Sequence, residues 1–120
     1  MASHSSNDLR TRTKSFALRI IKCYISLPKT TEAQVIGKQF LRSGTSVGAH
    51  YREGSRARST KEFISKLEVG IQELDETMYW LELLTEARIV QKSDLAGLLD
   101  EANQLMSIFI ASVKTAKNRE

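Results

Sequence analysis

The sequence is poor in proline, cysteine, histidine and β-branched runs. It has one proline, Pro28, and few β-branched runs, while good helix formers (Leu, Glu, Lys, Arg, Ala and Gln) fill its interior. Its single cysteine, Cys23, excludes an intrachain disulfide and any CxxC metal or redox motif. No run of about 18 apolar residues occurs, so no membrane span is expected. The opening stretch, MASHSSNDLR, lacks the charged start and apolar centre of a signal peptide. A cytoplasmic protein without a membrane partner is the expectation. The 120 residues suit one domain with one core.

Charge is present but unevenly spread. Residues 1–67 hold thirteen Lys and Arg against four Asp and Glu, a net of +9, and residues 68–120 hold five against ten, a net of −5. Such asymmetry fits an anionic partner. It fits equally a basic half packed beside an acidic half, within one chain or between copies.

Hydrophobic spacing predicts an all-α, up-down-up-down antiparallel four-helix bundle over residues 8–120, after a small, polar, disordered tail at 1–7. The first helix runs from about Asp8 to Leu27, with Phe16, Ile20, Cys23 and Leu27 as its apolar stripe and Ala17, Ile21 and Tyr24 beside it. Pro28 ends it. Thr31 and Gln34 form a capping-box pattern for the second helix, whose first apolar face is Val35, Ile36, Phe40 and Leu41. The run Ser43-Gly44-Thr45-Ser46-Val47-Gly48-Ala49 reads as helix, although a loop dividing two short helices also fits it. Gly44 and Gly48 share a face, and close packing of the two central helices is expected there.

The third helix runs from about Thr60 to Ala87, opened by Ser59 with Glu62, and a Glu62–Lys66 pair is expected on it. Phe63, Leu67, Ile71, Leu74, Met78 and Leu81 form its stripe. Near its end, Met78, Tyr79, Trp80, Leu81, Leu83 and Leu84 surround the axis. One bundle buries only one stripe per helix. The surplus, Tyr79, Trp80 and Leu83, therefore suggests an oligomer interface, or else a cap over the bundle end. Ile89 and Val90 are expected to plug that end. Ser93 caps the last helix, whose inner face is Leu95, Leu98, Leu99, Ala102, Leu105, Met106, Phe109 and Val113. Lys114, Lys117 and Arg119 suit its C-terminal dipole.

Catalytic patterns are weak, and no enzyme activity, cofactor, metal or small-molecule substrate is expected. Dimetal bundles use Glu-x-x-His on two helices. Here His50-x-x-Glu53 has the reverse order, and the other histidine, His4, lies in the tail. Cys23 sits in an apolar stripe, where it acts as a small hydrophobe. Glu73, Asp75 and Glu76 read as a solvated or salt-bridged face, and His50 as a packed or hydrogen-bonded side chain. The strongest candidate is basic: Arg52, Arg56, Arg58 and Lys61, with Lys38, Arg42 and Lys66 nearby. Guanidinium groups match phosphate bidentately, so RNA or DNA is the candidate partner. The competing reading pairs these cations with Glu68, Glu73 or Glu82.

The stretch SGTSVGAHYREGSRARSTKEFISKLEVGIQELDETMYWLELL, within a match from about Phe40 to Val90, resembles the bacterial four-helix-bundle family of the 23S rRNA intervening-sequence proteins. The marks are Ser43 to Ala49, Arg52-Glu53, Lys61-x-Phe63-Ile64-x-Lys66-Leu67 and Asp75-Glu76-Thr77-x-Tyr79-Trp80-Leu81-Glu82-Leu83-Leu84. His50 departs from the asparagine usual in that family. The resemblance implies a homopentamer with no established enzymatic activity. Some such proteins are encoded within insertions in ribosomal RNA genes, which invites an RNA-binding reading. The related accessory proteins of diversity-generating retroelements form basic pentameric barrels that engage reverse transcriptase and nucleic acid. An assembly or adaptor module with a protein partner, and no nucleic-acid role, is the alternative.

Overall fold

Four helices follow one another: α1 Ser6–Ser26, α2 Thr31–Ser55, α3 Thr60–Glu86 and α4 Lys92–Asn118. The computed structural model describes residues 6–119, and side chains from 8 onward. The expected tail at 1–7 therefore falls mostly outside the described residues. Its last two positions belong to α1. The short links make sequential neighbours antiparallel, and the bundle measures 48 × 27 × 19 Å. The α2–α3 packing is the most extensive and the α1–α4 seam the thinnest. Arg12 of α1 bridges that seam with a two-point bond to Glu101, at 3.1 and 2.7 Å, and a bond to Gln104. The bond to Glu101 raises the Arg12 pKa, against a smaller opposing effect of burial.

The buried side of α3 is Ile64, Leu67, Gly70, Leu74, Thr77, Leu81 and Leu84. Leu67, Leu74 and Leu81 repeat every seven residues, and so do Gly70, Thr77 and Leu84, which is a coiled-coil seam. Spacing alone found the leucines but assigned Phe63, Ile71 and Met78 to the seam. These are half-buried, and a glycine and a threonine occupy the inner positions instead. Gly70 is required because Phe109 of α4 lies against it: a Cβ there would sit 2.7 Å from the ring. Phe109 also packs against the buried Tyr51 of α2, with ring centroids 5.8 Å apart.

Ser43 to Ala49 is uninterrupted helix. Its glycine face does not serve the pair of central helices, as expected, but α1. A Cβ at Gly44 would lie 2.7–2.8 Å from three Ile20 carbons, and one at Gly48 would lie 3.1 Å from the Thr13 hydroxyl. The α2–α3 seam carries a polar contact instead. The Thr77 and Ser43 hydroxyl oxygens are 2.8 Å apart, and Thr77 also lies 2.7 Å from the Glu73 carbonyl. Both side chains are buried. Thr77→Val keeps the shape and removes one partner, so it should cost about 1–2 kcal/mol. Thr77→Val with Ser43→Ala should cost less than the sum of the two single changes in urea unfolding, because each single change already loses the one bond the two hydroxyls share.

Several element ends differ from expectation. Thr30, not Thr31, caps α2, accepting from the Ala33 N–H at 3.4 Å. Gln34 instead reaches the Tyr24 hydroxyl and the Pro28 carbonyl. Ser59 caps α3 through the Glu62 N–H, as expected, but the Glu62 carboxylate accepts from the Arg58 N–H and not from Lys66. Lys66 pairs with Glu53 at 3.4 Å. Gln91 precedes α4 without a side-chain cap bond, and Ser93 falls within the first turn. The end of α3 is closed by Arg88 at φ 60°. The Arg88 and Ile89 N–H groups turn back to the Thr85 and Leu84 carbonyls, a Schellman closure that seats Ile89 and Val90 against the core.

Candidate nucleic-acid interface

Arg52 lies in the last turn of α2, Arg56 is its C-cap, Arg58 is in the turn and Lys61 opens α3. All four are exposed. This crowding has a local cause. The C-terminal end of α2 favours cations, and the tight turn sets its arginines beside those of the link to α3. Arg52, Arg56 and Arg58 line one open concavity of about 520 Å³ together with Glu53, Glu62 and Lys66. Glu53 is held by His50 at 3.1 Å and by Lys66, and these contacts, His50 first, lower its pKa. Among the described residues, the ion pairs use neither Arg52, Arg56, Arg58 nor Lys61.

Lys38 and Arg42 lie apart from this group. Arg42 is ten residues before Arg52, about 15 Å along the helix. Its guanidinium is engaged by Glu73, at 3.3 Å, and by Glu76 of α3. The ion-pair reading thus fits Arg42 and not Arg52, Arg56 or Arg58. Glu76 also accepts from the Trp80 indole at 3.0 Å. The Arg42 bond first, then the indole, holds its pKa below the ordinary carboxylate range. Because the folded-state value is lowered, this link stabilises the fold fully above the unfolded glutamate pKa of about 4.3. That contribution is lost as pH falls through the lowered folded value. Trp80 is the only tryptophan. Its emission should shift in that acid range, below pH of about 4.3, and the shift should disappear in Glu76→Gln.

The fold also gathers cations that spacing could not associate. The start of α1, the end of α2, the start of α3 and the end of α4 meet at one end of the bundle. Residues 8–16, 47–70 and 107–119, which form that end, hold eleven Lys and Arg against four Asp and Glu, a net of +7. The rest of the described chain nets −2. The two halves of the sequence are therefore not the two halves of the molecule. Arg119 shares a groove with Arg58. Lys117 pairs with Glu68 at 3.2 Å. Arg10, Lys14 and Lys114 add to this end.

The candidate association residues lie farther along. Tyr79 is about 27 Å along α3 from Lys61. It is 52% exposed and meets Trp80 edge-on, with ring centroids 5.0 Å apart. Trp80 and Leu83 are half-buried. Sequence reading passed over Leu18 and Ile25 and set Ile21 beside the inner stripe, whereas the three form a second apolar surface on the outer side of α1, exposed by 58%, 67% and 38%. Their spacing of three and four was the available signal, masked by the stronger stripe beside it. Val35, expected to face inward, is also exposed. Among the described residues no His, Cys, Asp and Glu cluster has metal-binding geometry, and no helix is long and apolar enough to cross a membrane. Burial raises the Cys23 pKa.

The fold has a close solved counterpart. A protein of unknown function from the S23 ribosomal protein family of Bacteroides thetaiotaomicron VPI-5482 superposes with a TM-score of 0.85 at 34% identity, covering 91% of this chain and 97% of that one. No curated protein matches. The family model described as 23S rRNA-intervening sequence protein matches residues 6–111, which takes in all of α1 to α3 and most of α4. On that match and that superposition, the chain belongs to the 23S rRNA-intervening sequence protein family.

Proposed function

We propose that this protein is a non-enzymatic, self-associating bundle whose basic end binds RNA through its phosphates. The observation that carries this reading is the set of three exposed arginines, Arg52, Arg56 and Arg58, on a +7 end of the molecule and outside every ion pair among the described residues. Arg52 and Arg56 repel one another at a spacing of four, at a cost of about 0.2–0.5 kcal/mol. A phosphate between them reverses that sign and accepts two bonds from each guanidinium. The exposed Tyr79 and the α1 stripe support self-association. In a pentamer, the assembly implied by the family resemblance, the basic end repeats five times and binding becomes polyvalent.

The test is titration of a structured RNA at several salt concentrations, on protein whose mass in solution has been measured. A mass of several chains and a steep fall of log K with log salt are expected. A monomer overturns the self-association. Absence of binding at low salt overturns the RNA reading and leaves a protein-partner adaptor.

A further inference from the structure

We propose that the groove between the start of α3 and the end of α4 takes an unpaired nucleotide of the bound strand, with its base stacked on Phe63. This rests on the RNA reading above and names the kind of RNA: single-stranded, not duplex.

Phe63 is half-buried, and its exposed part lines two adjoining concavities of about 520 and 470 Å³. Ala116 and Arg119 line both. One continues along α4 over Ile108, and the other turns past Arg58 toward the concavity of Arg52 and Arg56. Among the described residues, neither is lined by a carboxylate. The contrast is a third groove, over Leu81, Leu95 and Leu99 at the far end of the same two helices, which Glu82, Glu86 and Asp100 would close to a polyanion. An apolar, aromatic floor between two arginines offers nothing to a duplex, whose base faces are hidden in the stack. It suits an unpaired base, which buries one face on the ring while its flanking phosphates reach the guanidinium groups. Hydroxyls along the rim, Thr60 and Thr115 among them, can bond base edges or the ribose.

The experiment compares a single-stranded RNA carrying 2-aminopurine with a duplex of equal length and salt. The single strand should bind about tenfold more tightly, with its 2-aminopurine emission quenched by stacking. Phe63→Leu keeps an apolar side chain against the core and removes the ring face. It should weaken single-strand binding about tenfold, abolish the quenching and leave duplex affinity unchanged. Phe63→Tyr keeps the ring and should retain both signals, and the wild-type comparison of single strand with duplex still tests the site if the leucine variant folds poorly. Equal affinity for the two forms without quenching overturns the nucleotide site while leaving phosphate binding intact. Failure of both to bind at low salt overturns the parent reading itself.

Discussion

Gly44→Val is expected to destabilise the bundle by about 3 kcal/mol, lowering its melting temperature by about 10 °C. A Cβ on Gly44 would meet Cγ1, Cδ1 and Cγ2 of Ile20 at 2.7–2.8 Å. Ile20 is fully buried and β-branched, so no rotation clears all three carbons. The helices must then separate, which uncovers apolar surface along α1. Gly44→Ala tests the balance more finely. Alanine gains about 1 kcal/mol of helix propensity, yet the same close contacts should make it a net loss of about 1 kcal/mol. Gly97 supplies the control. It lies in α4, exposed, with only the Arg19 guanidinium near its Cβ position at 3.3 Å. Gly97→Ala should therefore stabilise by about 0.5–1 kcal/mol. Ile20→Ala should recover part of the loss in Gly44→Val when the two are combined. Thermal unfolding followed by circular dichroism measures all four. A Gly44→Val protein that melts with the wild type would refute the close approach of α1.

That glycine marks the boundary of what the sequence makes legible. Spacing shows that Gly44 and Gly48 share a face, because helical geometry is local. It cannot say which neighbour uses the face, because that depends on how the whole bundle is set together, and the neighbour is α1. The same division runs through α3. Leu67, Leu74 and Leu81 are readable as core from their period alone, whereas Gly70 and Thr77 are core only because Phe109 and Ser43 oppose them. Arg88 hides the end of α3, since the left-handed closing position is usually glycine and offers no signal as arginine. The candidate interface divides likewise. Arg52, Arg56 and Arg58 are close in sequence and were visible as a group. Arg119 meets Arg58 only after α4 returns along α3, and Arg42 leaves the group only because Glu73 and Glu76 claim it from across the seam.

The largest effect on binding is expected from replacing Arg52, Arg56 and Arg58 together by alanine. Each phosphate contact with a single strand contributes about 0.7 to the slope of log K against log salt. Three lost contacts should flatten that slope by about 2, which at 0.1 M salt is about a hundredfold weaker binding. The variant also lowers the net charge from +4 to +1. That change alone weakens attraction to any polyanion, so the informative comparison holds charge constant. Lys22, Lys38 and Lys92 are exposed cations outside the basic end. Their triple replacement by alanine reaches the same net charge and should cost less than about threefold, because charges beyond a Debye length of about 10 Å at 0.1 M salt are largely screened. Arg42→Ala should behave like that control in binding, since its guanidinium is already engaged, and should lower thermal stability by loosening Glu73 and Glu76. If both triple variants lose affinity equally, the protein attracts RNA by net charge alone and the arginine end is not a built site. If only the arginine triple loses it, with unfolding unchanged, the end of α2 and the turn into α3 are where phosphate is held.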